Sequence, residues 1–289
     1  TEAILSAKAS LSGVQRKFLA VKEGKNFRPV RDREISTHIA KLSSGNYNEI
    51  IEIEFLTSLA TQKLLPKDDI VEMQIAEIPY INEKALIITR FDRTHSGRGK
   101  IHFEEMSQLL NKKSGDAKYD GSYEDMGRYI SENPYCMPVE AQKLFSRILV
   151  CFLLGNTDAH FKNFAMFHKK EGLRLTPAYD LVSAYMFNYK TLALEINGVK
   201  DLNIGNLEVK HLVNLGYKFG LNDKIIMKLF EDLSKNLDNA KKAISESKVG
   251  SQDIKNKLTE IMEKRWNGSF SLIGNYLLNR QSREENHKS

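Results

Sequence analysis

The sequence predicts an α+β protein of two lobes, a small β-rich amino-terminal lobe over residues 1–93 and a larger, mainly helical lobe over 94–289. Two observations carry this: apolar residues recur in short alternating runs over the first third and at helical spacing thereafter, and a polar, glycine-containing stretch at 94–100 separates the two regimes. With 289 residues and 41% hydrophobic composition, the chain is long enough for two fused lobes, each with a core.

Residues 18–42 read as a small antiparallel sheet. Phe18-Leu19-Ala20-Val21 and 37–42 are the strand-like runs, with Glu23-Gly24-Lys25-Asn26 as a turn. Over 50–65, Ile51, Phe55, Leu56, Leu59 and Leu64 recur at helical spacing until Pro66 stops the run. Strands at 70–80 and 85–91 flank a turn at 81–84. Helices are then expected at 103–110, 123–131, 139–154, 207–215, 223–247 and 254–278, with a frayed polar tail at 279–289. Between 155 and 180 the helical pattern is interrupted. A polar loop at 156–163 leads into strands at 164–167 and 173–175 and then Pro177-Ala178-Tyr179-Asp180. A loop and hairpin inserted in a helical lobe mark a candidate site.

Composition excludes several classes. The longest apolar run, 148–154, is far short of the roughly 20 residues of a membrane span. The start, Thr1-Glu2-Ala3-Ile4-Leu5, lacks the basic patch and apolar stretch of a secretory signal, so the expectation is a cytoplasmic protein with no membrane partner. Cys136 and Cys151 cannot form a disulfide framework and read as free thiols. His38, His95, His102 and His168 are scattered without zinc-ligand spacing and read as structural or surface residues. A net charge of +6 suits an anionic partner, but 43 basic against 37 acidic residues, dispersed along the chain, do not select nucleic acid.

Asp158 and Asn163 have the Asp-x-x-x-x-Asn spacing of the protein-kinase catalytic loop. There the Asp serves as base and the Asn as metal ligand, and Asp180 falls where a second metal-binding Asp follows a hairpin. Phosphoryl transfer needs this combination, a carboxylate near the attacking hydroxyl and oxygen ligands for Mg2+ on the triphosphate. The spacing equally describes caps and turn formers, so by itself it leaves both readings open. Lys41 and Glu54 fit the ion pair that holds ATP phosphates, and fit equally an edge-strand lysine and a solvent-facing helix residue. Within the loop, Lys162 is placed to neutralise transferring phosphate, and His160 accompanies it; ordinary loop solvation explains both as well. A Gly-x-Gly-x-x-Gly loop is missing from the sequence before the first strand.

Five collinear stretches carry a resemblance: 10–17 (SLSGVQRK), 36–41 (STHIAK), 89–93 (TRFDR), 155–163 (GNTDAHFKN) and 175–184 (LTPAYDLVSA). Together they resemble the HipA-like serine/threonine kinase toxins of bacterial toxin-antitoxin systems. The resemblance implies a bilobal protein-kinase-like fold, ATP and Mg2+ as cosubstrate and cofactor, Asp158 as base, Asn163 and Asp180 as metal ligands and Lys41 on the phosphates. It also implies that Val14, Gln15, Arg16, Lys17 and Phe18 form the phosphate-covering loop, that Arg90 and Phe91 are the connector beside adenine, and that Tyr179 joins the nucleotide site. Ser12, with Ser10 as second candidate, resembles the serine that such kinases autophosphorylate. A phosphate there would repel the nucleotide.

Only eleven residues precede Ser12, whereas HipA-type chains carry an additional amino-terminal subdomain. In this respect the chain resembles the short HipT-type kinase of split systems, which implies a HipS-like small protein and a HipB-like DNA-binding antitoxin as partners, with DNA contacted only through the latter. The implied substrate is a cellular protein, an aminoacyl-tRNA synthetase at family level. A kinase-fold small-molecule phosphotransferase and a non-enzymatic nucleic-acid-binding role are the alternatives.

Overall fold

The structure, a computed structural model, describes residues 15–286 apart from 44–46, 48, 80, 95–98 and 114, with the backbone alone from 281. Five strands form an antiparallel sheet: β1 (Lys17–Glu23), β2 (Asn26–Pro29), β3 (His38–Leu42), β4 (Met73–Ile78) and β5 (Glu83–Thr89), in the order β2-β1-β3-β5-β4. Successive strand residues face opposite sides of a sheet, and here the two sides have different cores. Ala40 and Leu42 of β3 join Ala20, Phe27, Ile78, Ala85 and Ile87 in a small core on one face. Ile39 and Lys41 point the other way, paired with Ile88 and Leu86 of β5, which belong to the main core.

Helix α1 (Ile50–Leu64) follows β3 and packs against a long helix of the second lobe, α6 (Asp223–Glu246). Sequence periodicity gives α1 one apolar stripe, but the helix is buried on most of its circumference. Glu54, Thr57, Ser58 and Thr61 are enclosed along with Ile50, Ile51, Ile53 and Leu56. Thr57 and Thr61 meet the demand for hydrogen bonding in this setting by donating to the carbonyls of Ile53 and Thr57, at 2.7 and 2.8 Å.

The second lobe contains α3 (Tyr123–Glu132), α4 (Pro138–Leu153), α5 (Val209–Lys218), α6, α7 (Gln252–Arg265) and α8 (Ile273–Asn286). Helix α4 starts with Pro138 in its first turn, where a missing N–H costs nothing, and its last ten residues are all buried. Two departures from the sequence reading have clear causes. Residues 103–105 form a strand, β6 (Phe103–Glu105), rather than the first turn of a helix, because they pair with β7 (Ala165–Lys169); only Met106–Leu109, α2, is helical. The expected helix 254–278 is broken after Arg265 by a π-turn at Trp266–Phe270, and the segment read as a frayed tail continues α8 to Asn286.

β7, β8 (Gly172–Leu175) and β6 make a second sheet in the order β6-β7-β8. Gly172 turns this hairpin with φ of +109°, and a Cβ there would lie 2.2 Å from the Tyr135 carbonyl oxygen, which accepts the Leu173 N–H at 2.8 Å. Gly172→Ala therefore combines a disfavoured backbone with a clash against backbone. It is expected to lower stability by at least about 2 kcal/mol, seen as a lower urea midpoint with unchanged slope. A substitution that leaves the midpoint in place would contradict the turn geometry.

Candidate active site

A cleft of about 550 Å³ opens between the five-stranded sheet and the 155–180 region. Its base is an ion cluster. The Lys41 ammonium donates to Glu54 Oε1 and to Asp180 Oδ1, each at 2.6 Å, and Asn163 Nδ2 donates to Asp180 Oδ2 at 2.9 Å. Burial pushes the Lys41 ammonium down, but the two carboxylates outweigh it and hold the lysine protonated, above its ordinary value. Burial likewise pushes the Asp180 carboxyl up, and Lys41 overcomes this to keep it below the usual carboxylate value. For Glu54, 1% exposed, burial wins and its carboxyl is raised despite the lysine.

Local structure presents each of these side chains. Asp180 has φ of +56°, a left-handed conformation that is uncommon for a residue with a Cβ. Backbone pairing just before it fixes the chain: Ala178 N–H donates to Asp69 O at 2.8 Å, and Ala178 O accepts from Val71 at 3.0 Å. Behind this segment, Arg147 of α4 makes a bidentate pair with Asp68, at 2.6 Å through Nε and through Nη2, and donates from Nη1 to Thr176 O at 2.7 Å. Gly155, φ +72°, takes the chain out of α4 into the loop; a Cβ there would crowd the Tyr185 Cβ at 3.0 Å. Tyr123 OH to Ala159 O, at 3.0 Å, and Thr157 Oγ1 to Tyr189 O, at 2.7 Å, pin that loop. Asn163 Oδ1 accepts the His160 N–H at 2.9 Å.

Among the positions singled out from sequence, Lys17, Phe18, Lys41, Arg90, Phe91, His160, Lys162, Asn163, Tyr179 and Asp180 line the cleft. Glu54 stands behind Lys41. Phe91 sits within an aromatic cluster, its ring centroid 5.1 Å from Phe103, 5.3 Å from Tyr179 and 5.7 Å from Phe167. Tyr179 OH donates to Lys162 O at 2.7 Å. The Arg90 guanidinium is committed to Asp92, at 2.9 and 2.7 Å, and to Ser36 Oγ at 2.9 Å. Gln15 is buried without lining the cleft, and Arg16 is exposed and paired with Glu83. Val14, Ser10 and Ser12 lie outside the described residues.

Asp158 does not line this cleft. It borders a separate pocket of about 60 Å³ with Tyr119, Thr157, Tyr189, Thr191, Leu192 and Ala193, and accepts a hydrogen bond from Tyr119 OH at 2.9 Å. Tyr119 and its neighbour Lys118, a cleft residue, were not singled out from sequence; they belong to a short 3-10 turn, Gly115–Tyr119, in a polar stretch without periodicity. Burial lowers the Lys118 ammonium below the ordinary lysine value.

The family described as the HipA-like C-terminal domain matches residues 9–241. The chain belongs to that family. It is 30% identical over 217 residues to the serine/threonine-protein kinase toxin HipA of Shewanella oneidensis, covering 67% of this chain and 48% of that protein, so it spans about half the relative's length. Two solved structures share the fold. The Shewanella oneidensis HipA, in a complex with HipB and operator DNA, superposes with a TM-score of 0.74 at 22% identity, over 94% of this chain and 69% of that one. The Helicobacter pylori proinflammatory kinase CtkA superposes with a TM-score of 0.65 at 14% identity, over 91% and 94%. The bilobal, kinase-like architecture expected from sequence is thus the observed one.

His160 provides a pH test. It is buried, neither ring nitrogen meets a protein partner among the described residues, and burial, aided by Lys118, lowers its pKa from 6.5 to about 4. Below pH 6.5 the unfolded chain binds a proton that the folded chain refuses. Stability attributable to this group is therefore complete above pH 6.5 and is lost as pH falls toward 4, on the order of 3 kcal/mol in total. In metal-free buffer, His160→Gln is expected to flatten the pH dependence of urea unfolding over that window. Equal slopes for both proteins would refute the assignment.

Proposed function

We propose that this chain is a Mg-ATP-dependent serine/threonine protein kinase, the toxin component of a toxin-antitoxin pair. The observation that carries the reading is the Lys41–Glu54–Asp180 cluster with Asn163 bonded to Asp180, which joins a β-strand lysine, a helix glutamate and a post-hairpin aspartate at one point. That arrangement matches the parts a kinase uses to hold triphosphate and metal. The chain's likeness to HipA and CtkA kinases supports it.

The residues present suit both groups. Asp180 and Asn163 offer the hard oxygen donors that Mg2+ prefers, and His160 brings to the cleft wall two ring nitrogens without a hydrogen-bond partner among the described residues. Bound Mg2+ supplies charge neutralisation to the phosphates. The protein's own part is to hold Lys41, restrained by Glu54, as a fixed cation for the triphosphate, with Lys17, Lys118 and Lys162 on the cleft wall. Phe91, flanked by Phe103 and Tyr179, presents an aromatic surface for adenine. Asp158, oriented by Tyr119, accepts the proton of the attacking serine or threonine hydroxyl as its oxygen forms the new bond to phosphorus and the bond to the leaving diphosphate oxygen breaks.

Following the resemblance, Ser12 and Ser10 are the proposed autophosphorylation sites, an aminoacyl-tRNA synthetase the proposed external substrate and a HipB-like antitoxin the proposed partner. Incubation with labelled ATP and Mg2+ is expected to label this chain on serine. Asp158→Asn and Asp180→Asn should each reduce the rate at least 100-fold, the first with a melting temperature close to that of the unaltered protein and the second with a lower one, because Lys41 loses a carboxylate partner. Lys41→Met should act mainly on nucleotide affinity. Labelling that survives both aspartate changes would overturn the proposal, and labelling of small molecules but no protein would redirect it to the other phosphotransferase class.

A further inference from the structure

His102 and His168, far apart in sequence, meet on the second sheet. Phe103 of β6 pairs with Phe167 of β7, so the next residues outward, His102 and His168, stand opposite each other, and the His168 N–H donates to His102 O at 3.3 Å. Glu104 lies two residues along β6 from His102 and therefore shares its face, diagonal to His168. The imidazole centroids of His102 and His168 are 4.7 Å apart, and His168 Nε2 is 2.6 Å from Glu104 Oε2. One ligand atom from each of the three residues falls within 4.8 Å of the others.

We propose that His102, Glu104 and His168 form a binding site for a borderline divalent metal ion, with Zn2+ the favoured occupant and water in the remaining position. Two imidazoles and one carboxylate are a donor set that open zinc sites use, whereas Mg2+ prefers all-oxygen surroundings. Tetrahedral zinc with bonds near 2.0–2.1 Å needs its ligand atoms about 3.4 Å apart. The His168–Glu104 pair is already closer than that, and the remaining atoms need only about an ångström of side-chain rotation, which the partly exposed His168 and Glu104, at 42% and 31%, permit. Without an ion the same contact is a solvent-exposed hydrogen bond, worth little. What favours a metal site is the convergence of three ligand residues on one face of a hydrogen-bonded strand pair, where the backbone register has already fixed the spacing.

The site is separate from the cleft. Phe103 and Phe167 project to the opposite face of these strands, toward Phe91. An ion here would tie β6 to β7 from behind that aromatic group.

The test uses the full chain without tag or nucleotide, titrated with Zn2+ against a chromophoric chelator in the presence of millimolar Mg2+. One equivalent should bind at micromolar or lower concentration. His102→Asn and His168→Asn should each weaken this binding at least tenfold, and the double variant should abolish it while its thermal unfolding in EDTA stays unchanged. X-ray absorption at the zinc edge should report two imidazole ligands. Absence of micromolar binding, equal binding by the double variant, or displacement by Mg2+ would overturn the proposal.

Discussion

One ammonium shared by two carboxylates organises this molecule. Lys41 comes from the five-stranded sheet, Glu54 from the helix beneath it and Asp180 from the strand exit in the second lobe, so a single cation closes the contact among three parts of the chain. A buried carboxylate and a half-buried one against one ammonium leave a net charge of −1, which is costly to enclose unless further polar groups or another cation offset it. Asn163 offsets part of it through the Asp180 oxygen that Lys41 leaves open. The remaining imbalance points into a cleft whose wall carries Lys17, Lys118 and Lys162. A negative centre within a basic wall is the charge pattern that a metal-bound polyphosphate complements, with the ion at the carboxylates and the phosphates against the lysines.

Holding that cluster requires the unusual burial of α1. Were this helix amphipathic in the ordinary way, Glu54 would reach solvent and Lys41 would keep only Asp180 as a partner. Instead α1 lies between the sheet and α6, and Thr57 and Thr61 satisfy their hydroxyls along its own backbone. On the far side, Arg147 uses all three guanidinium nitrogens on Asp68 and Thr176 O, bracing the segment that delivers Asp180 in its left-handed conformation. Removing either Asp68 charge or Arg147 would leave its partner buried and unpaired, the situation in which an internal ion pair matters most.

The parts of this design that lie close in sequence were legible there. The loop 156–163, the hairpin after it and Asp180 follow one another, and turn residues between short apolar runs mark them without a structure. Lys41 and Glu54 were legible as a candidate ion pair but not as an enclosed one, because residue type does not say that a glutamate on a helix with many apolar neighbours is buried. Three features depended on distant pairing and left no local trace. β6 reads as helix until β7 supplies its hydrogen-bonding partner, Tyr119 reaches Asp158 from a polar turn without periodicity, and His102 meets His168 only through the β6–β7 register.

The loop itself acts as a partition. His160, Lys162 and Asn163 face the large cleft, whereas Asp158, on the same short stretch, borders the small pocket with Tyr119 and Tyr189. A transferase that moves phosphate between two bulky partners needs them on opposite sides of the reacting atom, since attacking and leaving oxygens lie roughly in line. A base placed among the nucleotide ligands would compete with the phosphates for the same cations. In the role proposed for it, Asp158 stands across the loop with the Tyr119 hydroxyl on its carboxylate and meets a hydroxyl arriving from outside the cleft. The division between the two pockets thus follows from the direction of the reaction proposed for them, and the pinning of the loop by Tyr123 and Thr157 keeps the two sides in register.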